Sequence, residues 1–248
     1  MRFVLPIGML LALWGCSSSV PTLKKAEYYF ERGQTALEKK RCLKAIEEFQ
    51  RVVTNFPGSS MVPHAQYYLA EAHYCNKDYV QAVFEYERLL NTYPSSEWVD
   101  DAQFRIAEAY YNQLRRVELD QQETYESLTH FRRFIDDNPS SPLVEVARER
   151  IVECRTLLAE KRYLAAQLYH KQKRLEAAAI TYRDILRDFP DTPYYYETLA
   201  QLGKIAHKRD NPKEARIYWV EVQRDCEDEK LVTQVEKLLS QLEEPQED

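Results

Sequence analysis

The sequence has 248 residues, a net charge of −6 and 44% hydrophobic residues, of which enough are large to build a core. That hydrophobic share argues against global disorder. The negative balance argues against nucleic acid as the main partner, because phosphate binding needs a basic footprint, and only 5 Gly leave little for phosphate-cradling loops.

In chain order, Arg2 and the apolar run Phe3 to Leu13 have the charge and length of a signal peptide. The run is too short to span a bilayer. Leu13-Trp14-Gly15-Cys16, followed by Ser17-Ser18-Ser19, resembles a bacterial lipobox. That resemblance implies a lipoprotein signal peptide over 1–15, acylation of Cys16 (palmitate among the acyl chains) and a lipidated tether over 16–22. Several acyl chains make a stable anchor. Ser17 is not the Asp of an inner-membrane retention signal, so outer-membrane sorting is implied. The alternative is an ordinary signal peptide with an incidental Cys16.

Next comes a repeat, announced by Thr54-Asn55-Phe56-Pro57-Gly58-Ser59-Ser60, Asn91-Thr92-Tyr93-Pro94-Ser95-Ser96, Asp137-Asn138-Pro139-Ser140-Ser141 and Arg187-Asp188-Phe189-Pro190-Asp191-Thr192. Each reads as a helix end, a proline that cannot continue it, and a Ser or Thr able to cap the next helix. Twelve residues before the prolines lie Ala45, Ala82, Ser127 and Ala178; eight before lie Phe49, Tyr86, Phe131 and Tyr182; five before lie Val52, Leu89, Phe134 and Ile185. Steps of four and three put these on one helical face. A preceding helix supplies small contact residues, including Gly33, Ala70, Ala107, Ala166 and Gly203. A fifth unit, without a proline, has Gly203, Ala206, Ala215, Trp219 and Val222.

This pattern resembles the tetratricopeptide repeat. The expected fold is all-α: a solenoid of five helix pairs over roughly 23–57, 61–94, 97–139, 143–190 and 193–225, then a capping helix from Glu229 to Leu242. Residues 243–248 read as a polar tail. Successive prolines lie 37, 45 and 51 residues apart. The third unit therefore holds an insertion around Gln113 to Thr124, and the fourth a long first helix from about Leu143 toward Lys171. Residues 23–139 are expected to form a substrate-peptide groove and 140–242 a partner-docking end.

Motifs of catalysis are missing: no H-E-x-x-H, G-x-S-x-G, Walker loop or G-x-G-x-x-G occurs. His64, His73, His130, His170 and His207 have no histidine at ligand spacing, so no metal, cofactor or enzymatic activity is expected. Cys42, Cys75, Cys154 and Cys226 show no C-x-x-C pair; export permits disulfides, but buried or idle thiols are the expectation.

The first helices of such a stack line its inner face. Three before and four after the small residues lie Phe30 and Leu37, Tyr67 and Tyr74, Phe104 and Tyr111, then Tyr163 and His170; Glu71 and Glu108 lie one after. The expected groove is an aromatic wall dotted with carboxylates, suited to a peptide with apolar or aromatic side chains. Burial between helices is the alternative for some of these. Pro193-Tyr194-Tyr195-Tyr196-Glu197 opens the fifth unit as a second candidate surface, with at least one tyrosine exposed.

The lipobox, the five units, the insertion followed by Tyr125 to Phe131, and Leu157-Leu158-Ala159-Glu160-Lys161-Arg162-Tyr163-Leu164-Ala165-Ala166-Gln167-Leu168-Tyr169 are together similar to the BamD family. These are the tetratricopeptide lipoproteins of the outer-membrane β-barrel assembly machine. The resemblance implies a scaffold anchored to the outer membrane and facing the periplasm. Its N-terminal repeats would receive unfolded barrel proteins, and its C-terminal repeats would dock the periplasmic domain of the barrel subunit, with other assembly lipoproteins as further partners. Tyr196 stands where an arginine is expected for the barrel-subunit contact. A periplasmic adaptor for cell division, envelope coordination or pilus assembly is the alternative.

Overall fold

The computed structural model describes residues 25–243; the signal segment, Cys16, the whole tether and the end of the tail lie outside them. Among the described residues there are eleven helices and no strand. They are α1 (Ala26–Glu38), α2 (Cys42–Asn55), α3 (Val62–Cys75), α4 (Tyr79–Thr92), α5 (Val99–Tyr111), α6 (Gln122–Asp137), α7 (Val144–Lys171), α8 (Leu175–Asp188), α9 (Tyr194–Lys208), α10 (Pro212–Asp225) and α11 (Glu229–Glu243). Each helix packs chiefly on its neighbours in the chain, and α1 also meets α3, as α5 meets α7 and α7 meets α9. That sequential order is a tetratricopeptide-type solenoid.

The repeat register sets the packing. Ala45, Ala82, Ser127, Ala178 and Ala215 are fully buried, and against them sit Phe49, Tyr86, Phe131, Tyr182 and Trp219, none more than 1% exposed. Small residues let the paired helices approach, and the ring fills what remains. The fit is closest where the facing residue is glycine. A Cβ on Gly33 would lie 2.6 Å from the Phe49 ring, and one on Gly203 2.2 Å from Trp219 Nε1. The indole also donates from Nε1 to the Ala200 carbonyl at 3.1 Å, so it has no free direction of retreat. At the open end α11 buries Val235 and Leu239 against Trp219 and Val222.

Four of the five pairs turn in the same way. Lys40, Lys77, Lys173 and Asp210 have φ of 53°, 61°, 61° and 57°. The amide after each donates five residues back, as Arg41 to Ala36 at 2.8 Å and Asp78 to His73 at 3.0 Å. This is the Schellman closure, usually made by glycine. The serines after the prolines do not cap the next helices as expected. Ser59, Ser96 and Ser141 accept instead from the amide two residues on, at 3.2, 3.3 and 3.4 Å, one turn ahead of the helix.

The cysteine expectation needs correcting. Cys42 opens α2 and Cys75 ends α3; because these helices run antiparallel, the two ends meet, with Cα atoms 5.7 Å apart, and form a disulfide between the first two repeats. Cys154 and Cys226 are free thiols.

The third and fourth units depart from the common period together. The long α7 has its first half, Val144, Ala147 and Ile151, against Phe104, Phe131 and Phe134. Its second half, Leu158, Tyr163 and Ala166, packs on Ala178, Tyr182 and Ile185. The insertion, residues 112–121, covers the middle. Lys161 on α7 donates to the Val117 and Leu119 carbonyls at 3.2 and 2.5 Å, and Leu114 joins the α7–α8 core.

Candidate partner-binding surface

The aromatic positions of the expected groove divide into two sets. Phe30, Tyr67 and Phe104 are buried, each 7% exposed, and line no open wall. Phe30 lies 5.5 Å from the Tyr68 ring of the next first helix. Tyr67 stacks on Trp98 at 4.5 Å, and Phe104 packs edge-on to Phe131 and Phe134. The reason is register: three before and four after a contact residue lie about 60° and 40° round the helix, toward the neighbouring repeat. The stripe opens only where it reaches the helix ends, at Leu37, Tyr74, Tyr111 and His170, all half-buried.

What the first-helix face presents between α3, α5 and α7 is an ordered charge ladder. Arg105 Nε is 3.0 Å from Glu71, and its guanidinium lies over the Tyr74 ring at 5.2 Å. One repeat on, Arg150 Nε is 3.1 Å from Glu108, and its guanidinium lies over the Tyr111 ring at 4.5 Å. Each arginine thus pairs with the glutamate and covers the tyrosine of the repeat before it. Arg150 also reaches Glu153 at 3.2 Å, and the Tyr111 hydroxyl donates to the same carboxylate. Asn112 Nδ2 donates to the Tyr74 hydroxyl at 2.7 Å. The Tyr86 hydroxyl donates to Glu71 from below, which ties the ladder to the core.

Electrostatics follow from half-burial. Desolvation, then Glu108, pushes the Tyr74 phenol up to about 12. Desolvation with Glu153 does the same to Tyr111, also to about 12. Burial alone would lower Arg105, but Glu71 and the tyrosines outweigh it and raise it. The strip therefore keeps one charge pattern across the physiological range: tyrosines neutral, arginines charged, each arginine already committed to a carboxylate. It offers ring edges and spare donor positions rather than bare charge.

The ladder arginines and Glu153 were not singled out from the sequence. The signal was present: eight residues after Pro94 and Pro139 lie Ala102 and Ala147, with Arg105 and Arg150 three further on and Glu108 and Glu153 three beyond those.

The second candidate surface is split between two cores. Tyr194 joins the α7–α8 cluster, 5.3 Å from the Tyr163 ring, while Tyr195 and Tyr196 pack against the α9–α11 cluster. Tyr195 donates to Glu221 at 2.8 Å and meets Tyr196 edge-on at 5.3 Å. Against the expectation of at least one exposed tyrosine, all three, and Glu197, are half-buried. Just before them, Asp191 is held by Arg155 Nε at 2.7 Å, and Arg162 pairs with Asp188. The two α7 guanidiniums sit at 5.4 and 5.0 Å from the Phe189 ring between them. This clamp fixes the position at which α9 begins.

With this geometry in view, a family model described as YfiO, outer membrane lipoprotein, matches residues 23–217. The chain belongs to this family. It is the BamD family that the sequence resembles, and the match runs through the first four repeats, the insertion and the long α7 and ends within α10. A comparison with curated proteins gives no significant match. Among solved structures, a thermophilic TPR protein of Thermus thermophilus, TTC0263, is 15% identical with a TM-score of 0.38, covering 87% of this chain and 100% of that one. MamA of Desulfovibrio magneticus RS-1 is 16% identical with a TM-score of 0.37, covering 87% and 97%. The TPR2AB domain of yeast Sti1, in a pHSP90 complex, is 11% identical with a TM-score of 0.46, covering 87% and 84%. Values this low bring no surface or partner across to the present YfiO-family chain. Among its described residues no helix is long and apolar enough to cross a membrane.

Proposed function

We propose that this outer-membrane lipoprotein is a non-enzymatic scaffold of β-barrel protein assembly, tethered through lipid on Cys16 and working on the periplasmic side. The first-helix strip of Glu71, Tyr74, Glu108 and Tyr111, with Arg105 and Arg150, receives an unfolded barrel protein. The end formed by Tyr194, Tyr195, Tyr196 and Glu197 docks the periplasmic domain of the barrel subunit. The observation that carries this reading is family membership over 23–217, since that span takes in both surfaces and the long helix joining them. The strip suits a segment bearing neutral aromatic or apolar side chains: rings can pack against the open edges of Tyr74 and Tyr111, while the arginines are already neutralised.

Affinity capture with the full lipidated chain from detergent-solubilised membranes tests the reading. Recovery of a large barrel protein with periplasmic repeats is expected. Recovery of cell-division or pilus components in its place would assign the scaffold to another machine.

A further inference from the structure

A basic edge stands out at the tips of the first two hairpins. Residues 16–57 hold eight Lys or Arg against five Asp or Glu, in a chain whose net charge is −6. Arg32 and Lys44 are engaged by the buried Glu48, at 2.9 and 3.0 Å. Lys39, Lys40, Arg41 and Lys77 are exposed and make no ion pair among the described residues. Two carboxylates share these tips: Glu38, exposed, and Asp78, which caps α4 by accepting from the Gln81 amide at 3.4 Å. Beside the cations project Leu43 and Val80, 71% and 75% exposed, the most exposed large apolar side chains described. They occupy the same repeat position, and the Cys42–Cys75 disulfide ties the two tips side by side.

We propose that this edge is a second membrane contact, in which the tips of the first two hairpins rest on anionic phospholipid headgroups. Lys39, Lys40, Arg41 and Lys77 would meet the phosphates, and Leu43 and Val80 would enter the interfacial layer. Cations flanking projecting apolar side chains are the chemistry of interfacial binding. A lipid surface is favoured over an acidic polypeptide, because the apolar residues project from the first turns of α2 and α4, mostly exposed, rather than lining a groove. Reach is sufficient: α1 carries the chain about 20 Å from its start to its tip, and the segment from Cys16 to Ala26 spans up to about 35 Å. Lipid on Cys16 and the tips can therefore meet one bilayer, which fixes the tilt of the first repeats.

The test uses the full lipidated chain in vesicles of phosphatidylcholine, alone or with about 30% phosphatidylglycerol, and reads lysine acylation by a water-soluble reagent. Labelling of Lys39, Lys40 and Lys77 is expected to fall several-fold only in the anionic vesicles, to recover in high salt, and to leave Lys237 unchanged. Leu43→Ser with Val80→Ser, checked for unchanged helicity, should weaken the protection. Equal labelling in both vesicles overturns the proposal. So does protection by soluble polyglutamate without protection by anionic vesicles, which would make the edge a site for acidic chains.

Discussion

At the scale of single residues the structure turns small groups into large effects. At Gly203 the Trp219 ring already occupies the space a Cβ would need, and the indole is held by the Ala200 carbonyl. Gly203→Ala should cost about 1–3 kcal/mol by overpacking, read from urea midpoints; an unchanged midpoint would show the ring to be mobile. The Phe189 clamp makes a different kind of prediction. Hydrogen bonds from Arg187, then Arg162, hold the Asp188 carboxyl down at about 2. A depressed carboxyl contributes stability that is whole above the unfolded value of about 4 and is lost as pH falls toward 2. Asp188→Asn should therefore lower the urea midpoint at neutral pH and flatten its fall between about pH 4 and 2. An identical pH profile in the variant would remove Asp188 from the account.

At the scale of elements, the turns carry a cost that the sequence pattern hides. Lys40, Lys77 and Lys173 sit in left-handed backbone that disfavours any residue with a Cβ. Replacing Lys77 with Gly should stabilise the protein by up to about 1 kcal/mol, measured by chemical denaturation; a loss would show that the lysine stem packs on the turn. The disulfide works the other way. Its removal by Cys42→Ser with Cys75→Ser should cost about 2–4 kcal/mol and raise hydrogen exchange first in α1 and α2. Helix boundaries were legible in the sequence because prolines punctuate the chain and alanine–aromatic spacing repeats between them. The turns were not, because Schellman closure is usually betrayed by glycine and here is made by Lys and Asp. Nor was the disulfide, which joins ends that become neighbours only once α2 and α3 lie antiparallel.

On the whole-molecule scale the two departures from the common period belong together. The insertion at 112–121 and the extra turns of α7 come in adjacent units, and Lys161 ties one to the other. The result is one continuous helix shared by two halves, so the first-helix strip and the tyrosine end are held in fixed relation. The sequence singled out the first-helix face but not what it presents, because the pairs of the ladder cross repeats 34 and 42 residues apart. It placed Tyr74 and Tyr111 with the buried Phe30, Tyr67 and Phe104, since all share one helical stripe. Tyr67→Ala should now act as a core mutation and lower the unfolding midpoint. Tyr74→Ala with Tyr111→Ala should leave helicity intact while weakening capture of aromatic-ended peptides.

The most direct test of the account places a photo-crosslinking amino acid at Tyr111 in the lipidated chain, in cells. The account predicts ultraviolet-dependent adducts with newly exported, unfolded barrel proteins, absent when the same group stands at the buried Phe104 position. Adducts confined to soluble periplasmic proteins, or none at all while the chain stays folded and membrane-bound, would contradict it.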